Sequence, residues 1–546
     1  MRIDAIYTNG RFRTMDPARP AATSIGVHGG RIVGVDEELA NVYAHRTVDL
    51  NGAPALPGFH DAHYHLSMTG RRLQSLDLGS FSSMGPLLEA VRERAKKVPP
   101  DGWLLGAGYD QNILGSHPVA DALDRVAGGR PVLLQHVSGH MHVANTAAFE
   151  RAGYHRREGV PDVDGGYVVR DDDGRAQGLL QEKAMGLIQE AVPGPGLDDV
   201  QRNLAAASEQ AVAYGLTSLT EPGLGGGQTI GNTAADFHSY QAAVENGALK
   251  PRMTLMPSIG AFHYLEGFPD QGWFGLDLGI RTGFGDDRIR VGPVKIFSDG
   301  SLIGKSAAMH QCYHGEPDNK GFLQLDAVAL MRIIVDAHKA GWTIATHAIG
   351  DEAIDHVMDS VEQAQREAPR PGVRHRIEHF AVANAEQVKR AAGLGIVPVP
   401  QGRFISAFGD GMIEALGAER VEHCYRMKSL LKAGIELPGS TDSPVADGNP
   451  LHSIHDMVNR LTHSGQELAP DERLSARQAV RAYTYGSAYA AGEEHNKGTL
   501  SAGKLADFVV LSDDLLEVDP ATIRDVTVGA TVIGGQSVYD DGALRT

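Results

Sequence analysis

The chain has 546 residues, 42% hydrophobic and 22% charged, an ordinary globular composition that excludes a disordered or fibrous protein. Its 50 basic and 68 acidic residues give a net charge of −18, which argues against a nucleic-acid or anionic-membrane binder, because those need a basic surface. Two cysteines exclude a disulfide scaffold and predict a reducing, cytoplasmic location. The N-terminal sequence lacks a signal-peptide pattern, and no apolar run approaches the ~18 residues that span a bilayer.

The two ends of the chain carry the same pattern of short strands and turns. Alternating apolar positions, broken by Asn-Gly and Gly-Gly pairs that signal hairpins, occur in residues 4–50 and again in 504–540. Two β-meanders at opposite ends of a chain are expected to join into one β-domain. We therefore predict a composite β-domain from residues 1–54 and 498–546, with everything between inserted into it.

The middle of the chain, residues 55–497, alternates buried strands with amphipathic helices. Apolar residues at helical spacing predict helices at 84–97, 199–214 and 326–340. Eight strands alternating with helices fit an α/β fold of the (β/α)8 type, a TIM barrel, and a long doubly wound sheet is the competing topology. The predicted strands are 53–65, 215–223, 251–260, 289–300, 342–350, 374–380, 395–403 and 434–444.

The interval between the first two predicted strands is far too long for a single helix. We interpret residues 66–198 as a large insertion after the first barrel strand, at the face where substrate-covering elements are expected. Within it, the acidic run 171–173 is interpreted as the turn of a hairpin and not as a metal site.

The strongest local signal for chemistry is the pair His63 and His65 in LPGFHDAHYHL. Two residues apart on a strand, both imidazoles project from one face and can bind one metal ion. An isolated pair of this kind would more often be two polar residues on an exposed strand. Here an apolar strand precedes it, which places both histidines at the carboxyl end, where barrel enzymes hold their active sites.

Four further residues occupy the same kind of position at the ends of later strands. Taken singly, a histidine or aspartate there is commonly a hydrogen-bonded structural residue or a turn, and a lysine commonly reaches water. Taken together, they indicate one site, because the carboxyl ends of barrel strands converge. The four residues are Lys295 in VGPVKIFSDG, His347 in TIATHAIGD, His379 in RHRIEHF and Asp442 in LPGSTDSP.

These motifs resemble the amidohydrolase superfamily, specifically the amidohydrolase-3 group that includes YtcJ-like proteins and N-substituted formamide deformylases. The resemblance covers essentially the whole chain, from LPGFHDAHYHL to the closing GTLSAGKLADFVVL. It implies a composite β-sandwich beside a barrel. It also implies metal binding by His63 and His65 with Asp442 and by His347 and His379, with Lys295 as a carboxylated bridge between the two sites.

A carboxylated lysine is chemically reasonable at such a position. An uncharged amine attacks carbon dioxide to give a carbamate, and desolvation with nearby cations favours the neutral amine. The product can span two divalent ions, which lie roughly 3.5–4 Å apart in two-metal hydrolases. Imidazoles and carboxylates suit zinc, with Mn²⁺, Fe²⁺ or Co²⁺ as alternatives and one or two ions bound.

The expected function is metal-dependent hydrolysis of a carbon–nitrogen bond other than a peptide bond, by metal-activated hydroxide. Asp442 would take the proton and pass it to the leaving nitrogen. The resemblance places His140 against the substrate carbonyl, with a structural role as the alternative. Tyr109 and Asp110 are expected to line the pocket, with core packing as the alternative for Tyr109.

The substrate expected is an amide of the N-substituted formamide or N-acyl amine type, because the motifs offer no arginine cluster for phosphate or several carboxylates. A carbamate, ester or lactone hydrolase, a deaminase of the same superfamily and a non-catalytic scaffold are the alternatives. Lys295 argues against a one-metal deaminase, and Glu378, the neighbour of His379, is expected to point away from the metal. No nucleic-acid or membrane partner is expected, and a homodimer is possible.

The segment DGSLIGKSAA departs from both of the patterns that it resembles. Relatives often carry arginine at Lys305, so no substrate contact is assigned to that position. The segment also resembles a P-loop, but Asp299 occupies the first glycine position, which excludes nucleotide binding by that motif.

Overall fold

The computed structural model of the protein describes residues 2–136, 141–163, 166–194, 196–225, 236–267 and 273–545. The chain divides into two compact units. The first contains Met1–Met68 and Ala207–Thr546, and the second contains Thr69–Ala206.

The strands within the described residues are, in chain order, β1 Arg2–Thr8, β2 Arg11–Arg13, β3 Ala21–Ala22, β4 Ile25–His28, β5 Arg31–Val35, β6 Tyr43–Asp49, β7 Pro54–Pro57, β8 Phe59–Asp61, β9 Leu76–Asp77, β10 Leu104–Tyr109, β11 Val132–His136, β12 Met141–Ala144, β13 Gly166–Arg170, β14 Ala176–Glu182, β15 Leu216–Leu224, β16 Arg252–Pro257, β17 His263–Leu265, β18 Trp273–Gly275, β19 Ile289–Val291, β20 Val294–Phe297, β21 Ile344–Ala348, β22 Arg376–His379, β23 Val397–Val399, β24 Phe508–Leu511, β25 Val528–Ile533 and β26 Gln536–Asp540.

The α-helices are α1 Leu66–Gln74, α2 Met84–Ala95, α3 Gln111–Leu114, α4 Ala120–Ala127, α5 Thr146–Arg151, α6 Gly186–Gln189, α7 Leu197–Ala213, α8 Asp236–Glu245, α9 Ala327–Lys339, α10 Asp351–Glu367, α11 Ala385–Gly393, α12 Phe404–Arg420, α13 Met427–Lys432, α14 Pro450–Asn459, α15 Ala476–Arg481 and α16 Ser487–Ala490. Short 3₁₀ helices lie at Asp36–Leu39, His155–Arg157, Lys183–Met185, Ile259–Ala261, Asp277–Gly279, Val421–His423, Pro470–Glu472 and Pro520–Asp525, and a π-helical turn lies at Ala482–Gly486.

The helices predicted from apolar spacing are confirmed as α2, α7 and α9. At the start of α9, the Asp326 side chain accepts hydrogen bonds from the backbone N–H groups of Val328 and Ala329, as an N-cap does. After its end, Gly341 has φ 89°, a left-handed conformation that glycine adopts without steric cost. The start and stop signals in the sequence therefore act as expected.

Two four-stranded parallel sheets form the centre of the first unit. One has the order β19-β16-β15-β8 and the other the order β20-β21-β22-β23. Each strand of β20, β21 and β22 ends at or near a residue that the sequence singles out. Because parallel strands end at the same edge of a sheet, this arrangement brings those residues together.

Three predicted strands differ from the structure. The span 53–65 is two strands in different sheets, β7 in the six-stranded sheet that holds β24 and β8 beside β15. The span 289–300 is two strands, β19 and β20, because Gly292-Pro293 interrupts the run. The span 434–444 contains no strand, since Pro438 cannot donate a backbone hydrogen bond and Asp442 has φ 61°. The segment nevertheless lies beside β8: the Ala62 amide donates to the Gly439 carbonyl at 2.9 Å.

Strands from both chain ends share one six-stranded sheet of order β26-β25-β24-β7-β2-β3. The N-terminal strands β5-β4-β1-β6 form a second, four-stranded sheet. One hydrophobic cluster takes residues from both ends of the chain, including Tyr7, Phe12, Phe508 and Val532. The Tyr7 and Phe508 rings meet edge to face with centroids 4.8 Å apart, an attractive geometry for aromatic pairs.

The second unit is built on a six-stranded sheet of order β13-β14-β12-β11-β10-β9. Val132 and Leu134 belong to one hydrophobic cluster and Leu133 to another, so both faces of the sheet are covered. The acidic run 171–173 connects β13 to β14, which confirms the predicted hairpin turn. Within the described parts of both units, no helix combines the length and apolar character that crossing a membrane requires.

A buried ion pair fastens the six-stranded end sheet to the central strands of the first unit. The Arg252 guanidinium, at the start of β16, donates to both carboxylate oxygens of Asp507 at 2.6 and 3.0 Å. Asp507 also accepts from the Gly534 amide at 2.7 Å. Removing one partner of such a pair leaves an uncompensated buried charge.

We therefore expect Asp507→Ala to lower the free energy of unfolding by about 3 kcal/mol or more, measured by urea denaturation. Glu467→Ala is the matched control, because its ion pair with Arg473 is exposed, with side chains 55% and 40% accessible. The control should cost at most about 1 kcal/mol. Equal losses in the two variants would contradict the role given to Asp507.

A buried pair of histidines provides a second prediction. The Ile344 amide donates to His375 Nδ1 at 3.1 Å, so His375 Nε2 carries the hydrogen that His338 Nδ1 accepts at 2.8 Å. His338 Nε2 then donates to the Ala368 carbonyl at 2.7 Å. Both rings are therefore neutral, and burial lowers the pKa of His375 to about 3 and lowers that of His338.

Below pH 6.5 the unfolded chain binds protons at these histidines and the folded chain does not. Their contribution to the free energy of unfolding is therefore complete above that pH and is lost as the pH falls. The limiting loss is about 1.4 kcal/mol per pH unit per histidine. His375→Gln should therefore have a shallower decline in unfolding free energy between pH 6 and pH 4 than the unsubstituted protein. His495→Gln, at an exposed position, should leave the slope unchanged; equal slopes in all three proteins would refute the assignment.

Candidate metal centre

His63 and His65 follow β8 directly, and both are buried. The Asp61 carboxylate accepts from the His63 amide at 2.9 Å and from the Thr441 hydroxyl at 2.6 Å. The two imidazole centroids are 5.3 Å apart. Asp61 thus fixes the backbone of the histidine pair and ties it to the segment that carries Asp442.

Asp442 lies against both histidines. Its Oδ1 is 3.4 Å from His63 Nε2 and 3.1 Å from His65 Nε2, and its own amide donates to the His63 carbonyl at 2.8 Å. One candidate ligand atom from each of the three residues lies within 4.8 Å of the others. Although burial raises it, the neighbouring His63, His65 and Lys295 hold the pKa of Asp442 below its ordinary value, so the carboxylate is ionised.

His347 and His379 extend the cluster from β21 and β22. Their ring centroids are 4.4 Å apart, and the His379 centroid is 5.3 Å from that of His63. Burial, with the nearby positive charge of Lys295, holds the pKa of both imidazoles well below the ordinary value. Neutral imidazole is the form that binds metal ions.

Lys295, on β20, is 1% exposed, and its Nζ has no hydrogen-bond partner among the described residues. The Nζ lies 4.8 Å from the centroid of the Phe297 ring. Burial lowers the pKa of Lys295 to about 8. Its charge, together with the larger effect of burial, also lowers the pKa of His63, His347 and His379.

Three of the four histidines have the second ring nitrogen held by another group. His379 Nδ1 donates to Gln401 Oε1 at 2.8 Å, and His347 Nε2 donates to the Gly300 carbonyl at 3.1 Å. His63 Nδ1 donates to Glu378 Oε2. Metal-binding histidines characteristically have their other nitrogen bound in this way. Together with the buried, unpartnered amine of Lys295, these contacts make the residues suitable for holding divalent ions.

Glu378, expected to point away from the metal, lies on the side of the His63 ring opposite the nitrogen that faces Asp442, but it belongs to the surroundings of the candidate centre. Glu378 shares a strand face with Arg376, and this face meets residues 62 and 63. His379 has φ 72°, so the alternation of strand faces does not govern where its ring lies. Glu378 therefore contacts a candidate ligand from behind.

Sequence reasoning missed several residues that hold the cluster in place. Glu221, at the end of β15, accepts from the Leu66 amide at the start of α1, directly after His65. Gln401 and Asp61 act similarly on His379 and His63. The only available signal was chemical: each is a polar residue inside or just after an apolar strand, where burial demands a partner.

The remaining sequence candidates lie elsewhere or outside the described residues. His140 falls in the segment 137–140, which is not described. Tyr109 is fully buried in a hydrophobic cluster of the second unit, and its hydroxyl bonds to His117 Nδ1 at 3.1 Å. Asp110 caps α3 by accepting from the Asn112 amide. Substrate binding by these three residues stays a prediction.

The loop that resembles a P-loop is organised by Asp299. Its carboxylate accepts from the amides of Ala308, Ile349 and Gly350 at 3.1, 3.1 and 2.8 Å. Lys305 donates to Glu316 Oε1 at 2.6 Å. The lysine is therefore engaged in an ion pair within its own loop.

The family model described as the amidohydrolase family matches residues 46–539. YtcJ of Bacillus subtilis is 32% identical, over 98% of this chain and 99% of the relative. The N-substituted formamide deformylase of Arthrobacter pascens is 29% identical, over 99% of this chain and 98% of the relative.

Among solved structures, an uncharacterized metal-dependent hydrolase from Pyrococcus horikoshii superposes with a TM-score of 0.77 at 25% identity. The match covers 94% of this chain and 99% of the Pyrococcus chain. The likeness in sequence and in structure thus extends over nearly the full length of this chain and of each of these relatives. The chain therefore belongs to the amidohydrolase family.

Proposed function

We propose that the protein is a metal-dependent hydrolase that cleaves the C–N bond of an amide of the N-substituted formamide or N-acyl amine type. The observation that carries the proposal is the convergence of the imidazoles of His63, His65, His347 and His379 with an ionised Asp442 and a buried Lys295 whose amine no described residue hydrogen-bonds. The choice of substrate class rests on the formamide deformylase relative, which matches this chain over nearly its whole length.

We also propose that the central strands form a (β/α)8 barrel. In support, an isolated parallel bridge joins Ser258, after β16, to Lys295 on β20. The segment after residue 434 bonds to Ala62 on one side, and Ser440 bonds to Gln401 on the other. In this interpretation residues 1–54 and 498–546 form a sandwich, and 66–198 are the insertion.

In the proposed centre, His63, His65 and Asp442 would hold one divalent ion and His347 and His379 would hold a second. Lys295, if carboxylated on Nζ, would supply oxygen ligands to both. Zinc suits this donor set, with Mn²⁺, Fe²⁺ and Co²⁺ as alternatives. A bound divalent ion lowers the pKa of water and polarises a carbonyl group.

Asp442 is the residue that moves the proton. Its Oδ1 lies beside Nε2 of both His63 and His65, so the carboxylate would adjoin a water bound at this cluster. Asp442 accepts a proton from the attacking water and delivers it to the nitrogen of the cleaved amide. The second transfer is needed because an unprotonated amine is a poor leaving group.

The experiment that tests this function offers the zinc- or manganese-loaded protein a panel of N-substituted formamides, N-acyl amines, carbamates, esters, lactones and amino-heterocycles. We expect turnover of the first two classes with stoichiometric release of amine and carboxylate. Turnover confined to esters and lactones would move the assignment to those substrates. Release of ammonia alone would indicate a deaminase.

A second prediction concerns Lys295. Lys295→Ala should lower the bound metal by about one ion per chain and reduce turnover by about a hundredfold or more, because one ion contributes several kcal/mol to the transition state. Added propionate should restore part of the activity, since a small carboxylate can occupy the vacated space and bridge the ions.

Lys497→Ala is the matched control for this variant. Lys497 is also a buried lysine, but its Nζ donates to Ser218 Oγ at 3.0 Å and pairs with Glu493 at 2.6 Å. The control should keep its metal content. If Lys295→Ala retains full metal content and activity, the bridging role is wrong.

A further inference from the structure

Glu378 and Arg376 form a fully buried ion pair that reaches the first candidate ligand. Arg376 Nε donates to Glu378 Oε1 at 2.8 Å, and Arg376 Nη2 donates to Oε2 at 2.9 Å. The same Nη2 donates to the Ala62 carbonyl at 2.7 Å. On its other side, Glu378 Oε2 accepts from His63 Nδ1. The pair therefore contacts both the backbone that precedes His63 and the ring of His63 itself.

We propose that Glu378, oriented by Arg376, is a positioning residue that fixes the tautomer and direction of His63 for metal binding. The inference rests on the proposed function, because it concerns the affinity of the same centre. It adds a residue outside the predicted ligand set, on a strand that contributes a different ligand, His379.

The chemistry follows from what a carboxylate can do. An ionised carboxylate only accepts hydrogen bonds, so His63 Nδ1 must carry the hydrogen. The lone pair of the neutral ring is then on Nε2, the atom that faces Asp442 Oδ1 at 3.4 Å. Without Glu378, the ring could carry its hydrogen on Nε2 instead, and that tautomer presents no lone pair on the side that faces Asp442. A carboxylate on Nδ1 also makes Nε2 a better donor to a metal ion.

Glu378 is not placed to act as an acid or base. Its Oε1 accepts one hydrogen bond from Arg376, and its Oε2 accepts one from Arg376 and one from His63. The residue is completely buried behind the imidazole. Proton transfer to a substrate by Glu378 would require breaking this arrangement, so its effect passes through His63.

The test compares Glu378→Ala and Glu378→Gln with a control that loses a similar buried carboxylate away from the centre. Glu493→Gln serves as that control, because Glu493 is buried between Arg290 at 2.8 Å and Lys497 at 2.6 Å. For each protein, Zn²⁺ affinity is measured by competition with a chelator, and the visible absorption of the Co²⁺ form is recorded. The thermal unfolding midpoint of the metal-free protein is measured in parallel.

We expect Glu378→Ala to weaken zinc binding by about 10–100-fold and to change the Co²⁺ spectrum, the range typical when a residue behind a metal-binding histidine is removed. Glu378→Gln keeps an oxygen that can accept from His63 but loses the charge, so its affinity should fall between those of the alanine variant and the unsubstituted protein. Glu493→Gln should lower the unfolding midpoint and leave affinity and spectrum unchanged.

Zinc affinity and Co²⁺ spectrum equal to those of the unsubstituted protein in both Glu378 variants would overturn the inference, whatever happens to the unfolding midpoint. If the alanine variant does not fold, the glutamine variant decides alone, since it nearly preserves shape. If the unsubstituted protein binds neither zinc nor cobalt, the proposed function itself fails. The measurement on the unsubstituted protein shows this independently of the variants.

Discussion

The charge of Lys295, buried where no hydrogen bond from the described residues reaches it, sets the conditions for the rest of the centre. An ammonium group is costly to remove from water unless opposite charge compensates it. Glu378 and Asp442 act in that direction by raising the pKa of the lysine, but burial outweighs them and brings it to about 8. A neutral amine is thereby accessible near physiological pH, and a neutral amine is the form that reacts with carbon dioxide.

The burial that lowers the pKa of Lys295 also acts on the carboxylates around the histidines, in the opposite direction. Burial raises the pKa of Asp61, Glu221 and Asp299 to about 7 each, and backbone amides oppose that rise by donating to all three. Each of these acids joins a strand end to a neighbouring loop or helix. The polar groups that shape the centre are therefore also the groups that hold its segments together. Backbone strain adds to this pattern, since His379, Phe380 and Asp442 all have positive φ.

The residues of the centre could be predicted from the sequence because parallel strands bring their carboxyl ends to one edge. That rule places His63, Lys295, His347 and His379 together without any knowledge of side-chain contacts. It does not reveal Glu378, whose contact depends on which of the residues that follow β8 face β22. Strand periodicity assigns a residue to a face but does not identify what lies across from it.

The sequence also failed to predict strand order where strands far apart in the chain pair, and strand content where the backbone is irregular. The sheet of the second unit orders its strands β13-β14-β12-β11-β10-β9, which combines parallel and antiparallel neighbours that local patterns do not specify. The segment 434–444 has the composition of a buried strand, but Pro438 and the left-handed Asp442 remove it from the ladder. Its position beside β8 is set by a few backbone hydrogen bonds, which the sequence does not indicate.

The sheet shared by the two chain ends has a consequence for biosynthesis. Strand β7 pairs on one side with β2 and on the other with β24, as in the pairing of Pro57 with Phe508. A ribosome adding 5–20 residues per second needs about 20–90 s to make the chain between those two residues. During that time β7 has an unsatisfied edge, and such edges pair readily with other chains. The end sheet can therefore be completed only after residues 508–540 have been made, and chaperone protection of the nascent strands β2 and β7 would serve this fold more than one whose strands pair in order of synthesis.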